Sequence, residues 1–152
     1  MPSDRDLAHL YPEFREKVLL LLEDMRLYAA KHMVGYEWRI VEGFRTAKYQ
    51  KSLYAQGRTR KGPVVTNADG YNNESKHQSS LAVDVVPFHG HDFDWDGKRE
   101  WWQYLGHVAR KHGLEWGGDW KSFVDKPHVQ WPAGDKATYA KAREWQKQAG
   151  LR

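Results

Sequence analysis

The segment Ser75-Lys-His77-Gln-Ser-Ser-Leu-Ala-Val-Asp84 is answered far downstream by Asp125-Lys-Pro-His128. Two imidazoles and two carboxylates can build a hydrolytic metal site, in which three bind a zinc ion and the fourth handles the proton of an attacking water. The chain contains no cysteine, so a closed thiolate site is excluded. Any zinc ligands are then nitrogen and oxygen, the donors usual for hydrolytic zinc. Taken alone, His77 and Asp84 form an unspecific His-x6-Asp pair. The alternative is a polar loop histidine followed by a locally capping aspartate. His128, on another strand, offers the remote ligand that completes such a pair. Asp125 stands three residues before His128, with Pro127 stiffening the connection. That placement suits a general base beside the metal; the alternative is an exposed loop aspartate near Lys126.

Arg45 follows a predicted strand within Gly43-Phe-Arg-Thr46. It can stabilise an oxyanion or grip a substrate carboxylate, and the alternative is a surface salt bridge with Glu42. Ser75 can orient a ligand or bind substrate, or simply shape a turn. His9, His32, His89, His107 and His112 lack a comparable pattern. Asp92-x-Asp94-x-Asp96-Gly97 echoes the start of a calcium loop, but the position that needs a bidentate Glu is Gln103, so that reading fails.

Several elements must position these groups. Pro12 fits the first turn of a helix, and Phe14, Val18, Leu21, Leu22, Met25 and Ala29 recur as a core-facing stripe. Trp38 to Glu42 reads as a strand, about Thr46 to Gln56 as a helix, and Arg58 to Glu74 as a long surface loop of the functional kind. Leu81 to Val86 is a strand ended by Pro87. It turns Ala82, Asp84 and Val86 to one side and Leu81, Val83 and Val85 to the other. His89 to Gly97 reads as a loop. Glu100 to His112 is a helix carrying Trp101, Tyr104, Leu105, Val108 and Ala109. Leu114–Trp116 and His128–Trp131 are short strands, and Lys136 to Gln148 is a basic helix. The class is α+β, a small antiparallel or mixed sheet flanked by helices.

The sequence of 152 residues predicts one domain without a separate wall-binding unit, and 40% hydrophobic against 29% charged residues is a globular balance. Eight Trp, eight Tyr and five Phe exceed what the core needs, so some are expected to line a groove. The formal net charge of +4 points to an anionic neighbourhood, though the basic residues are scattered. No secretory signal is visible, and Val18–Leu22 is too short to span a bilayer. A protein made in the cytosol, without stable membrane insertion, is the expectation.

Together, Ser-x-His-x6-Asp, the later Asp-x-x-His and the upstream Gly-Phe-Arg-Thr resemble the zinc peptidases that include D-alanyl-D-alanine carboxypeptidases and phage L-alanyl-D-glutamate endolysins. Leu53-Tyr-Ala-Gln-Gly-Arg-Thr59 and Glu115-Trp-Gly-Gly-Asp-Trp-Lys-Ser-Phe123 look like the endolysin branch. The resemblance implies one Zn2+ per chain held by His77, Asp84 and His128, with Asp125 as catalytic acid/base and Arg45 as the transition-state or substrate anchor. It also implies a compact fold of the hedgehog and DD-peptidase type with a zinc cleft. One departure stands out: Ser80 occupies a position where the family usually has Gly, and if that glycine uses positive φ the bend before the strand must differ slightly.

The implied activity is hydrolysis of the L-alanyl-D-glutamate amide in a peptidoglycan stem peptide by a monomeric lysin. It would wait in the host cytoplasm and reach the wall after the membrane is permeabilised. Arg58, Arg60 and Lys61 are candidate contacts for the peptide's carboxylates, and Trp116, Trp120 and Phe123 a candidate wall of the cleft. Basic residues of the last segment, among them Arg143 and Arg152, either face an anionic envelope or form a solvated helix face. The rivals are a D-alanyl-D-alanine carboxypeptidase and a non-catalytic wall-binding module. Nucleic-acid binding rests on charge and aromatic content alone, and no nucleic-acid partner is expected.

Overall fold

The structure is a computed structural model describing residues 3–152. Helix α1 (Pro12–His32) begins with its proline at the first turn, where a missing N–H costs nothing. Phe14, Val18, Leu21, Met25 and Ala29 of the expected stripe are buried, and Leu22 packs at its half-buried edge. Truncating Phe14 to alanine would cost about 3–5 kcal/mol at such a site. Gly35, with φ of +82°, turns the chain into β1 (Tyr36–Glu42).

Helix α2 (Ala47–Ala55) is capped by Thr46, whose hydroxyl accepts the N–H of Tyr49 at 3.1 Å. The long connection that follows carries only an isolated bridge between Gln56 and Arg60 before a single 3-10 turn at Lys76–Ser79. Then come β2 (Ala82–His89), β3 (Asp92–Phe93), α3 (Arg99–Lys111), β4 (Glu115–Trp116), β5 (His128–Gln130) and α4 (Lys136–Gln148). The sheet is antiparallel in the order β1-β2-β5-β4, with β3 pairing the far end of β2.

This is the expected α+β architecture, with two local corrections. Strand β2 does not stop at Pro87 but runs on to His89, pairing Pro87 with Trp38 of β1. Proline forfeits one donor there, while its carbonyl still accepts the N–H of Asp94 at 2.8 Å. The segment expected to be a loop therefore contains a hairpin. Trp102, absent from the predicted face of α3, is almost fully buried and meets Trp38 edge-to-face, with ring centroids 5.5 Å apart.

Register is what positions the chemistry. Asp84 of β2 lies opposite Glu42 on β1 and opposite His128 on β5. Residues directly opposed in a sheet put their side chains on the same face, so three groups from distant parts of the chain form one row. Leu81, Val83 and Val85 anchor the strand in the core from the other face, and Val86 joins them.

Candidate metal centre and its cleft

His77 lies in the 3-10 turn before β2. Ser75 caps that turn: its hydroxyl accepts the His77 N–H at 3.3 Å, while Gln78 accepts the Ser75 N–H at 2.9 Å. Ser80 ends the turn in the left-handed conformation, with φ of +60°. Serine here adopts a conformation that is easy for glycine and costly for a side chain. A contact offsets the strain: the Ser80 hydroxyl accepts the side-chain amide of buried Gln146 at 2.8 Å.

One atom from each of His77, Asp84 and His128 falls within 4.8 Å of the others. His77 Nε2 is 3.5 Å from Asp84 Oδ2, and His128 Nδ1 is 3.4 Å from Asp84 Oδ1. Those separations are long for hydrogen bonds. They match ligand atoms placed about 2.1 Å from a common tetrahedral centre, which sit about 3.4 Å apart. Asp84 Oδ1 is buried and has no hydrogen-bond partner, a costly state that a cation would relieve. The donor set and the orphaned oxygen thus fit a divalent metal.

Proton positions follow from the neighbours. His77 Nδ1 lies 2.8 Å from the carbonyl of Gly43, which only accepts, so the proton sits on Nδ1 and the Nε2 lone pair faces Asp84. His128 Nε2 lies 2.8 Å from Gln130 Oε1, and the Gln130 amide donates to Glu115 Oε2 at 3.2 Å. A carboxylate cannot donate, so Gln130 must show it the NH2 group and show His128 the oxygen. His128 then carries its proton on Nε2 and aims Nδ1 at Asp84.

The surroundings favour a neutral His77 and an ionised Asp84. Burial lowers the pKa of His77, helped by the Arg45 charge, which keeps the imidazole neutral. Burial works against ionisation of Asp84, but the two histidines outweigh it and hold the carboxyl well below its usual range. Burial likewise opposes the His128 cation, yet the proximity of the Asp84 carboxylate, with help from Asp125, raises its pKa.

Asp125 is half-buried, with Oδ2 3.8 Å from His128 Nδ1. Burial and the nearby charge of Asp84 push its pKa up to about 6. A glycine makes this placement possible. The Asp125 N–H bonds the carbonyl of Gly117 at 3.0 Å, and a Cβ on Gly117 would stand 2.2 Å from the Asp125 carbonyl oxygen.

Arg45 makes the Glu42 ion pair of the alternative reading, but buried rather than at the surface. Its Nε bonds buried Glu42 at 2.7 Å, and its guanidinium also reaches within 3.5 Å of Asp84 Oδ2. Gln50, fully buried, accepts from Arg45 at 3.1 Å and donates to Thr66 Oγ1 and the Ala68 carbonyl. The arginine is thereby held against the long loop.

Arg45, Ser75, His77, Asp125 and His128 line one cavity of about 470 Å³, walled by Trp120 and Phe123. Trp116 does not join that wall: it is buried and donates to the carbonyl of Lys126. Asp84 opens onto an adjoining cavity of about 270 Å³ that shares Arg45, Val65 and Thr66 with the first. Arg58 and Arg60 do not line the cleft. Arg58 donates to the carbonyls of Tyr54 and Thr66, and Arg60 to that of Ser52, so both pin the loop to α2. Lys61 lies outside both cavities as well.

Gln50, Glu115 and Gln130 went unremarked in the sequence. Only Gln130 carried a readable signal, since a residue two along a strand shares the face of His128.

Residues 69–131 match the family described as D-alanyl-D-alanine carboxypeptidase. The peptidoglycan L-alanyl-D-glutamate endopeptidase CwlK of Bacillus subtilis is 41% identical over 113 residues, covering 68% of this chain and 66% of the relative. The chain belongs to the D-alanyl-D-alanine carboxypeptidase family of metallopeptidases. Another relative of this family member, the L-alanyl-D-glutamate peptidase of Listeria phage A118, is 32% identical over 97 residues, covering 63% of this chain and 31% of the phage protein. The chain thus spans about two thirds of the first relative's length and about a third of the second's. The Serratia marcescens L-Ala D-Glu endopeptidase ChiX shares the fold, with a TM-score of 0.61 at 22% identity over 88% of this chain and 89% of that one.

Proposed function

We propose that this family member is a zinc-dependent endopeptidase that hydrolyses the L-alanyl-D-glutamate amide of peptidoglycan stem peptides. The observation that carries the reading is the convergence of His77, Asp84 and His128 on one point at the head of a cleft also lined by Asp125 and Arg45. The choice of bond is supported by the two relatives named for that activity.

His77 Nε2, Asp84 and His128 Nδ1 would hold the ion. A zinc bound there supplies Lewis acidity, polarising a carbonyl and making water easier to deprotonate near neutral pH. Asp125 accepts the proton of the attacking water, and its raised pKa equips it to return that proton to the departing nitrogen. Arg45, held by Glu42 and Gln50, offers a fixed cation to the developing oxyanion at little reorganisation cost. Ser75 holds the His77 turn and presents its residue to the same cavity. Trp120 stands beside the ligand set, its ring centroid 5.0 Å from that of His128.

A lysin synthesised in the host cytoplasm and reaching the wall after membrane permeabilisation, as a monomer, is the biological setting that accompanies this reading. No helix among the described residues is long and apolar enough to cross a membrane.

Digestion of purified peptidoglycan with the zinc-loaded protein tests the activity. Mass spectrometry should find new amino-terminal glutamate. Release of free D-alanine without that terminus would instead assign the carboxypeptidase reaction.

A further inference from the structure

A smaller cavity of about 250 Å³ opens beside the cleft, and Glu74, Ser75, Lys76 and Ala133 line both spaces. Lys136 and Arg143, from the first and third turns of α4, complete it. Three cations therefore border one small concavity. Among the described residues, none of them has a carboxylate within salt-bridge distance. Lys76 rests its ammonium 5.0 Å over the ring of Tyr139, a contact that places the charge without a carboxylate. The acid in the lining, Glu74, is already engaged, with Oε1 3.2 Å from Arg152. The Tyr139 hydroxyl is also committed, donating to the carbonyl of Trp131 at 2.6 Å.

Arg152 and Gln146 make the pocket a fixed feature. Arg152 donates to Gln146 and to the carbonyl of Gln78, and Gln146 donates to that same carbonyl and to Ser80. These bonds tie α4 to the turn that carries His77. Arg152 is thus a structural tether, not part of a solvated basic face. The helix that carries Lys136 and Arg143 is thereby held against the turn that carries Lys76.

We propose that this side pocket is an anion subsite that receives a free carboxylate of the peptide whose scissile amide lies in the cleft. The inference rests on the stem-peptide reading and deepens it. The substrate class becomes a peptide with an unblocked carboxylate on the Lys76 side of the metal centre. Charge-assisted hydrogen bonds to a carboxylate are worth enough to change affinity about ten-fold.

The test is calorimetric binding to the zinc-loaded Asp125→Asn protein, chosen to suppress turnover. The probes are synthetic stem peptides containing L-alanyl-D-glutamate, with each free carboxylate amidated in turn. Amidating one of them should weaken binding about ten-fold. In a Lys136→Gln/Arg143→Gln background, where Lys76 alone remains, the preference for the free form should shrink several-fold. Neither side chain holds an ion pair among the described residues, so an unchanged melting temperature is expected and separates lost contacts from lost folding.

Equal binding of all peptides by the parent would overturn the subsite alone, leaving the endopeptidase reading in place. Undiminished discrimination by the double variant would also overturn it. Binding of inorganic phosphate that depends on Lys136 and Arg143, with no effect of amidation, would assign the pocket to a wall phosphate and defeat the proposal. Failure of every peptide to bind would count against both readings.

Discussion

His77 and His128 present opposite ring nitrogens to the same space: His77 offers Nε2 and His128 offers Nδ1. Each is set by a different acceptor behind the ring, the Gly43 carbonyl for one and Gln130 Oε1 for the other. The sheet register places His128 opposite Asp84, and the 3-10 turn brings His77 to the other oxygen.

The acceptor behind His128 can be removed without touching a ligand. Gln130→Leu should weaken zinc binding about 10–100-fold, because the ring loses the contact that selects its tautomer. Glu115→Gln should cost far less, since a glutamine oxygen can still accept from Gln130. Competition with a zinc chelator measures both. Unchanged zinc affinity in Gln130→Leu would show that the His128 ring needs no acceptor behind it.

The acid/base assignment separates from metal binding. Asp125→Asn should lower turnover about 100-fold or more while leaving one zinc per chain. In the metal-free protein, a carbon-detected NMR titration should place the Asp125 midpoint near 6. Loading zinc should move it down, because a neighbouring dication favours the carboxylate. A midpoint unaffected by metal would put Asp125 outside the centre.

Much of this arrangement was legible in the sequence, and the reasons differ by element. Helix α4 was read with its observed bounds, and the buried face of α1 followed its apolar spacing closely. Both are long elements with strong periodicity. Strand β2 was cut short at Pro87 because proline ordinarily breaks a central ladder, and only the tertiary pairing with β1 shows that it is tolerated there. His77, Asp84 and His128 lie together, with Asp125 beside His128, although their spacing alone was unspecific. Their support was hidden because buried amides supply much of it: Gln50 behind Arg45, Gln130 behind His128 and Gln146 behind Ser80. Glutamine is common on surfaces, so its type alone gives no sign of such a role.

Ser80 offers a stability test of the bend. Ser80→Ala keeps the left-handed backbone and loses the hydroxyl that meets Gln146, so it should destabilise the fold by about 1 kcal/mol. Ser80→Gly loses the same bond but relieves the strain, and should lie close to the parent. Urea unfolding compares them. An alanine variant as stable as the glycine variant would mean that the turn carries no strain.

Asp24 joins α1 to the end of α3, with Oδ2 2.8 Å from His112 Nε2 and 3.1 Å from Lys111. The His112 hydrogen bond, with help from Lys111, outweighs burial and lowers the Asp24 pKa from 3.8. A lowered folded value gives stability that is present above the unfolded pKa and lost as pH falls through the folded one. Asp24→Asn should therefore cost about 1 kcal/mol near neutral pH, and the gap should close below the usual aspartate value. A gap that stayed constant into acid would assign the effect to something other than this charge.

The most direct measurement is a zinc-edge anomalous map from crystals of zinc-loaded protein. One strong peak should appear about 2.1 Å from His77 Nε2, an Asp84 oxygen and His128 Nδ1, with Asp125 nearby but not bound. A peak that excludes any of those three side chains, or no peak between them at full zinc occupancy, would contradict the shared metal centre.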